Sequence, residues 1–216
     1  MVKGFDAVMS LGCCCEISFL QERMKVNNIV TGPFDWIHTN NFDDVLFLLL
    51  HRFRDFLDGF DMRANPYMPK KWKGELQLYP IHYPNVFIPH YTSDEFIQKA
   101  SRRIERLYKV LSSSQRVLFI RKHDYGYMKD NHQNPLSMVD GEKFCDVVSQ
   151  INPDLDFFVL LINEYRDKNQ KDHMSKSNRC ILINTYTIPV ECCFENGELY
   201  WTNIFDILSE NDFNAI

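Results

Sequence analysis

The chain has no apolar stretch long enough to cross a bilayer, and its run from Val45 to Leu50 falls far short of a spanning helix. The opening residues Met1 to Asp6 contain no apolar segment of signal length, so no secretory leader is expected. A large excess of charge of one sign is lacking as well. A formal net charge of -5 gives no electrostatic reason to expect nucleic acid or an anionic membrane as partner. The basic cluster Lys70, Lys71 and Lys73 around Trp72 reads as a solvated loop. Glycine-rich phosphate signatures are also missing. Gly12, Cys13, Cys14 and Cys15 lack the later glycines of a dinucleotide fingerprint, and no cofactor is expected. Paired cysteines at zinc-ligand spacing are absent, so no metal is expected either. Cys13 and Cys15 could join Cys192 and Cys193 only if the last segment returned to the first strand. Without repeats, low-complexity segments or a linker long enough to divide it, the 216-residue chain reads as a single domain, 1–216.

What is present is ordinary for a globular core: 45% apolar, 14% aromatic and 25% charged residues. The seven cysteines are odd in number and partly adjacent, which suits free thiols in a reducing, cytoplasmic compartment rather than a disulfide scaffold. Residues 5–11 form a short apolar run stopped by Gly12, the pattern of a strand covered on both faces. Ile17, Leu20 and Met24 then recur at helical spacing, which places Cys15 near a helix start just beyond a strand-to-helix turn. The segment 27–41, with Gly32-Pro33 and then Phe34 to Ile37, predicts an ordered loop in which Trp36 anchors the core. Helices are expected over 42–57, 93–111 (capped by Ser93) and 142–151. Strands are expected over 76–79, 86–88, 116–120, 157–162 and 180–184. Residues 61–91, rich in proline and aromatics, read as an excursion over the sheet top. The polar stretch 166–179 reads as a surface loop, residues 190–201 as an edge hairpin around Asn196-Gly197, and 204–208 as a last helical turn or two. Apolar strands alternating with helices predict a three-layer α/β fold, Rossmann-like or flavodoxin-like, with a mostly parallel sheet and helices on both faces.

Ligands in such sheets gather beyond the carboxyl ends of the strands, where Cys13, Cys14 and Cys15 fall. A thiol beside a helix N-terminus is biased towards thiolate, and the neighbouring amides can receive charge on a carbonyl oxygen. Cysteines are also often simply small buried residues. A nucleophilic cysteine needs a base. His90 follows a candidate strand in the excursion, His123 follows the strand ending at Ile120, and His38 lies close to Asp35. His51 reads as a surface residue, and nothing singles out His82, His132 or His173. Asp35 can orient an imidazole, or it can accept hydrogen bonds from loop amides and hold the 32–36 loop rigid.

Ser10-Leu11-Gly12 with Cys15 three residues on, Gly32-Pro33-Phe34-Asp35-Trp36-Ile37, Phe87-Ile88-Pro89-His90-Tyr91, and the stretch from Lys99 to Leu107 followed by Val117 to Arg121 form an ordered series of motifs. Together they resemble a family described as "putative papain-like cysteine peptidases", a domain of unknown function in bacteria and some large viruses. The resemblance spans roughly residues 5–165. It selects Cys15 from the run of three cysteines and His90 among the histidines; Tyr91 stands where the family usually has an aspartate. It implies a cysteine hydrolase with Cys15 as nucleophile and His90 as base, for which Asp35 is the candidate orienting group. A papain-like enzyme sets its cysteine on a long helix against an antiparallel sheet, however, whereas the periodicity here predicts a parallel one. A nucleophile after the first strand looks more like a small esterase or acyltransferase, and Trp36, Tyr67, Trp72 and Tyr83 offer stacking faces for a glycan. Arg121 and Lys122 would serve the phosphates of a thioester donor. A non-catalytic binding or host-interaction module is the remaining alternative.

Overall fold

The computed structural model describes residues 4–12, 28–39, 41–64, 76–88, 91–113, 115–124, 135–165, 173–186 and 197–210. In chain order the elements are β1 (Ala7–Ser10), a 3-10 turn (Pro33–Trp36), β2 (His38–Thr39), α1 (Phe42–Leu50), β3 (Phe60–Ala64), β4 (Leu76–Pro80) and β5 (Val86–Phe87). The second half adds α2 (Ser93–Leu111), β6 (Val117–Asp124), α3 (Met138–Ile151), β7 (Phe157–Tyr165), β8 (His173–Lys176), β9 (Cys180–Tyr186) and α4 (Gly197–Glu210). The fold is mixed α/β around a mostly parallel sheet. Its order is β1-β6-β7-β9-β8, with β8 the one antiparallel member of these five. On the other flank of β1, the Val8 N–H donates to the Asn28 carbonyl (2.8 Å) and the Val30 N–H to the Val8 carbonyl (2.9 Å), a single parallel bridge.

The central strands read as near-continuous apolar runs because both their faces are covered. Met9, Val117, Phe119, Val159 and Leu161 pack on one side with α1, α2 and α3, while Leu118, Ile120, Leu160, Ile162 and Ile183 meet Trp201, Ile204 and Leu208 of α4 on the other. Helices on both faces are therefore present as expected. α2 matches its expected bounds, but its cap is Thr92, whose N–H and hydroxyl both donate to the Glu95 carboxylate. Among the described residues no helix is long and apolar enough to cross a membrane.

Several elements depart from the sequence expectation. The helix expected over 42–57 stops at Leu50, and residues 51–58 continue as tight turns with Arg52, Phe53 and Asp55 in the left-handed region. Those turns bury Phe53 and Phe56, and tyrosine hydroxyls claim the carbonyls that a longer helix would use: Tyr108 donates to Leu49 (2.7 Å) and Tyr83 to Arg54. Within the proline-rich excursion β3 and β4 pair antiparallel, and β5 pairs antiparallel with β2, which precedes the excursion. The polar stretch 166–179 contains β8 rather than loop alone, and Gly197 opens α4 where a hairpin turn is expected. β6 runs four residues past Ile120.

Candidate functional site

β1 ends with the Leu11 N–H donating to the Ile120 carbonyl (2.8 Å), the last rung beside β6. Gly12 then turns the chain at φ +85°, a conformation that costs an L side chain strain. A Cβ at this position would also lie 3.1 Å from the Ile37 carbonyl oxygen and 3.2 Å from Arg121 Nη1. The Ser10 hydroxyl accepts from the Gly12 amide at 3.1 Å and fixes the turn. The end of β1 is thus pressed against the backbone of residues 34–37.

That backbone is itself tightly specified. Pro33 presets the first turn of the 3-10 segment. Asp35 is buried, and its Oδ2 accepts from the Gly32 amide at 2.6 Å. The loop-holding role considered for this carboxylate is therefore visible. β2 follows at once and pairs with β5, His38 opposite Phe87 and Thr39 opposite Val86. The His38 ring stacks on Phe87 at 4.8 Å. Beyond β5, Ile88 bridges to Leu78, and Tyr91 resumes with its ring edge-on to Trp36 at 6.0 Å. Ile88 and Tyr91 bracket Pro89 and His90 in sequence. Cys15 and His90 lie outside the described residues, as do Cys13, Cys14, Cys192, Cys193, His132, Tyr67, Trp72 and the lysines of the 69–73 cluster.

Behind this turn sits Arg121, fully buried. Its Nη1 donates to the Leu11 carbonyl (2.9 Å) and to Thr39 Oγ1 (2.8 Å), and its Nη2 donates to the Thr39 carbonyl (3.2 Å). One side chain on β6 thereby ties the end of β1 to β2. Lys122, on the opposite face of the strand, forms a buried ion pair with Glu164 of β7 at 3.0 Å. The sequence expectation that these two cations stand ready for phosphates is corrected: both are strand residues engaged inside the protein. His123 is buried next, and desolvation, assisted by the positive charge of Arg121, pulls its pKa down to about 4. Asn163 of β7 completes this row, its amide donating to the Leu136 carbonyl and to Asn184 Oδ1, each at 2.8 Å. The polar continuation of an apolar strand, from Val117–Ile120 into Arg121, Lys122 and His123, was the available signal for these residues.

Further expectations are revised by burial. Tyr83 is 9% exposed and its hydroxyl donates to Arg54, so it is no stacking face for a glycan. Trp36 is half-buried rather than a core anchor. His51 is exposed, as expected, and so are His82 and His173. Cys145 and Cys180 are free, and burial raises their pKa values to about 11 and about 12, so neither is an activated thiol.

The profile of the family described as "putative papain-like cysteine peptidase" matches residues 6–167, well over half of the 216-residue chain. No curated protein and no solved structure gives a match.

Proposed function

From the premise that the chain belongs to this family, we propose that it is a thiol hydrolase acting on an acyl or amide carbonyl, with Cys15 as nucleophile, His90 as base and Asp35 as orienting group. The observation that carries the reading is the meeting of three segments. Gly12 abuts the carbonyls of Phe34 and Ile37, and β2, directly after them, pairs with β5, which ends three residues before His90. Cys15 is three residues beyond Gly12, a tether of about 11 Å at most. Reading the bridge at Ile29 as a further parallel strand gives β1 neighbours whose chains leave in opposite directions, the flavodoxin-like order. The crevice at the carboxyl end of β1 is then where a ligand gathers.

In this mechanism His90 takes the Cys15 proton as the thiolate sulfur bonds to the substrate carbonyl carbon. Backbone amides at the turn receive the oxyanion, and collapse breaks the bond to the leaving group, which takes the proton from His90. Water, deprotonated by the same imidazole, then cleaves the thioester, releasing the acid while the proton returns from His90 to the Cys15 sulfur. His123 suits the base role poorly, since a group titrating at about 4 is a weak base at neutral pH. The engagement of Arg121 and Lys122 removes the support for a thioester-donor acyltransferase. The parallel sheet gives no preference for peptides over other acyl compounds.

Intact mass after exposure to electrophilic carbonyl probes tests this. One adduct is expected on the wild type and none on Cys15→Ala, with labelling at pH 7 slowed roughly 100-fold or more in His90→Gln. Equal labelling of Cys15→Ala would end the assignment.

A further inference from the structure

α2 presents Lys99, Arg103 and Arg106 at spacings of four and three residues, which puts them on one face. That face is turned to the loop and strand end just described. Lys99 Nζ lies 4.4 Å from the centroid of the Tyr91 ring, and Arg103 Cζ lies over the Trp36 ring at 6.0 Å. Arg106 Nη1 donates to the Thr31 carbonyl at 2.9 Å and to its hydroxyl, which pins the start of the Asp35 loop to the helix. The two rings meet edge to face and belong to the residues next to Asp35 and His90 in sequence.

The cations are unevenly satisfied. Arg106 is spent on Thr31. Neither Lys99 nor Arg103 forms an ion pair among the described residues, and the Glu95 carboxylate one turn before Lys99 is occupied by Thr92. Arg103 Nη1 is shut off from solvent and donates to no acceptor among the described residues. A buried donor of this kind calls for a partner. Aromatic contact occupies the face of a guanidinium, and the in-plane N–H edge that it leaves unpaired is the one that matches a carboxylate. Two available cations four residues apart on a helix span about 6 Å, suited to one or two charges and not to a polyanion.

We propose that Arg103 and Lys99, framed by Trp36 and Tyr91, bind a carboxylate of the substrate, so that the hydrolase acts on acidic acyl or peptide compounds. The location beside the scissile bond rests on the reading of Cys15 and His90; the binding itself does not. The test therefore uses the full chain as Cys15→Ala, titrated by calorimetry with an N-acetylated tetrapeptide amide containing two glutamates and with its glutamine counterpart. The glutamate peptide is expected to bind at least 10-fold more tightly, and 0.5 M salt should erase the preference. Arg103→Gln, with an unchanged melting temperature, should reduce the preference to less than 3-fold, and Arg103→Lys should retain part of it. Equal binding of the two peptides, no saturable binding, or a preference that survives Arg103→Gln overturns the proposal. A failure of electrophile labelling would instead overturn the assignment of Cys15 and leave this measurement intact.

Discussion

Arg121, Lys122 and His123 are consecutive on one strand and meet three different fates: alternation sends Lys122 to one face and Arg121 and His123 to the other, where their surroundings differ. Arg121 donates to two backbone carbonyls and a threonine hydroxyl, Lys122 pairs with a carboxylate, and desolvation lowers the pKa of His123. The Lys122–Glu164 pair is buried at both ends, so removing one partner strands a charge. Lys122→Met should destabilise the protein by about 3–5 kcal/mol, whereas Lys122→Met with Glu164→Leu should recover most of that, read from urea unfolding. His123 gives a pH signature. Its folded pKa of about 4 lies below the unfolded value near 6.5, so the unfolded chain takes up the proton first. Its contribution is whole above pH 6.5 and is lost as the pH falls towards 4, a change on the order of 3 kcal/mol. In His123→Gln the fall in stability between pH 7 and pH 4.5 should be shallower by about that amount; an unchanged slope would show that other groups carry the acid sensitivity.

At the scale of elements, α3 lies close against β9 at Gly141. A Cβ on Gly141 would stand 2.1 Å from Cys180 Sγ and 3.0 Å from its Cβ, so the helix seats on the strand only because that position has no side chain. Gly141→Ala should therefore destabilise by roughly 1–3 kcal/mol in spite of alanine's better helix propensity. Cys180→Ala in the same chain should restore part of the loss, and an additive double variant in chemical denaturation would rule out the contact as the cause. The elements also show where sequence reading succeeds. β7 and β9 are legible because burial on two faces leaves a recognisable apolar run. β8 is not, since an edge strand of His173, Met174, Ser175 and Lys176 is paired on one side and carries no core pattern. The signal of Asn196-Gly197 misleads for a different reason: Trp201, Ile204 and Leu208 repeat at helical spacing and bury one face, and that face outweighs a local turn preference.

Over the whole molecule, the two sheet faces do different work. The α4 face is an apolar seal with the Lys122–Glu164 pair near its upper rim, and the other face leads from the core through Arg121 to the candidate site. The α/β class is legible because it follows from periodicity, and the end of β1 is where the general behaviour of parallel sheets puts the proposed site. Asp35 was legible through its proline-containing loop. Arg121 as a tie was not, because its partners are carbonyls of Leu11 and Thr39 that no residue pattern marks. Long-range convergence of this kind is a property of packing rather than of local preference.

The antiparallel β8 has a consequence for how the protein behaves among copies of itself. A sheet that ended on β9 would offer seven residues of open backbone, Cys180–Tyr186, with an isoleucine-rich centre. β8 covers four of these rungs with a short, mostly exposed segment whose lysine and histidine discourage docking by another strand. What reads locally as a polar hairpin arm thus occupies backbone on which a strand of another copy would otherwise pair.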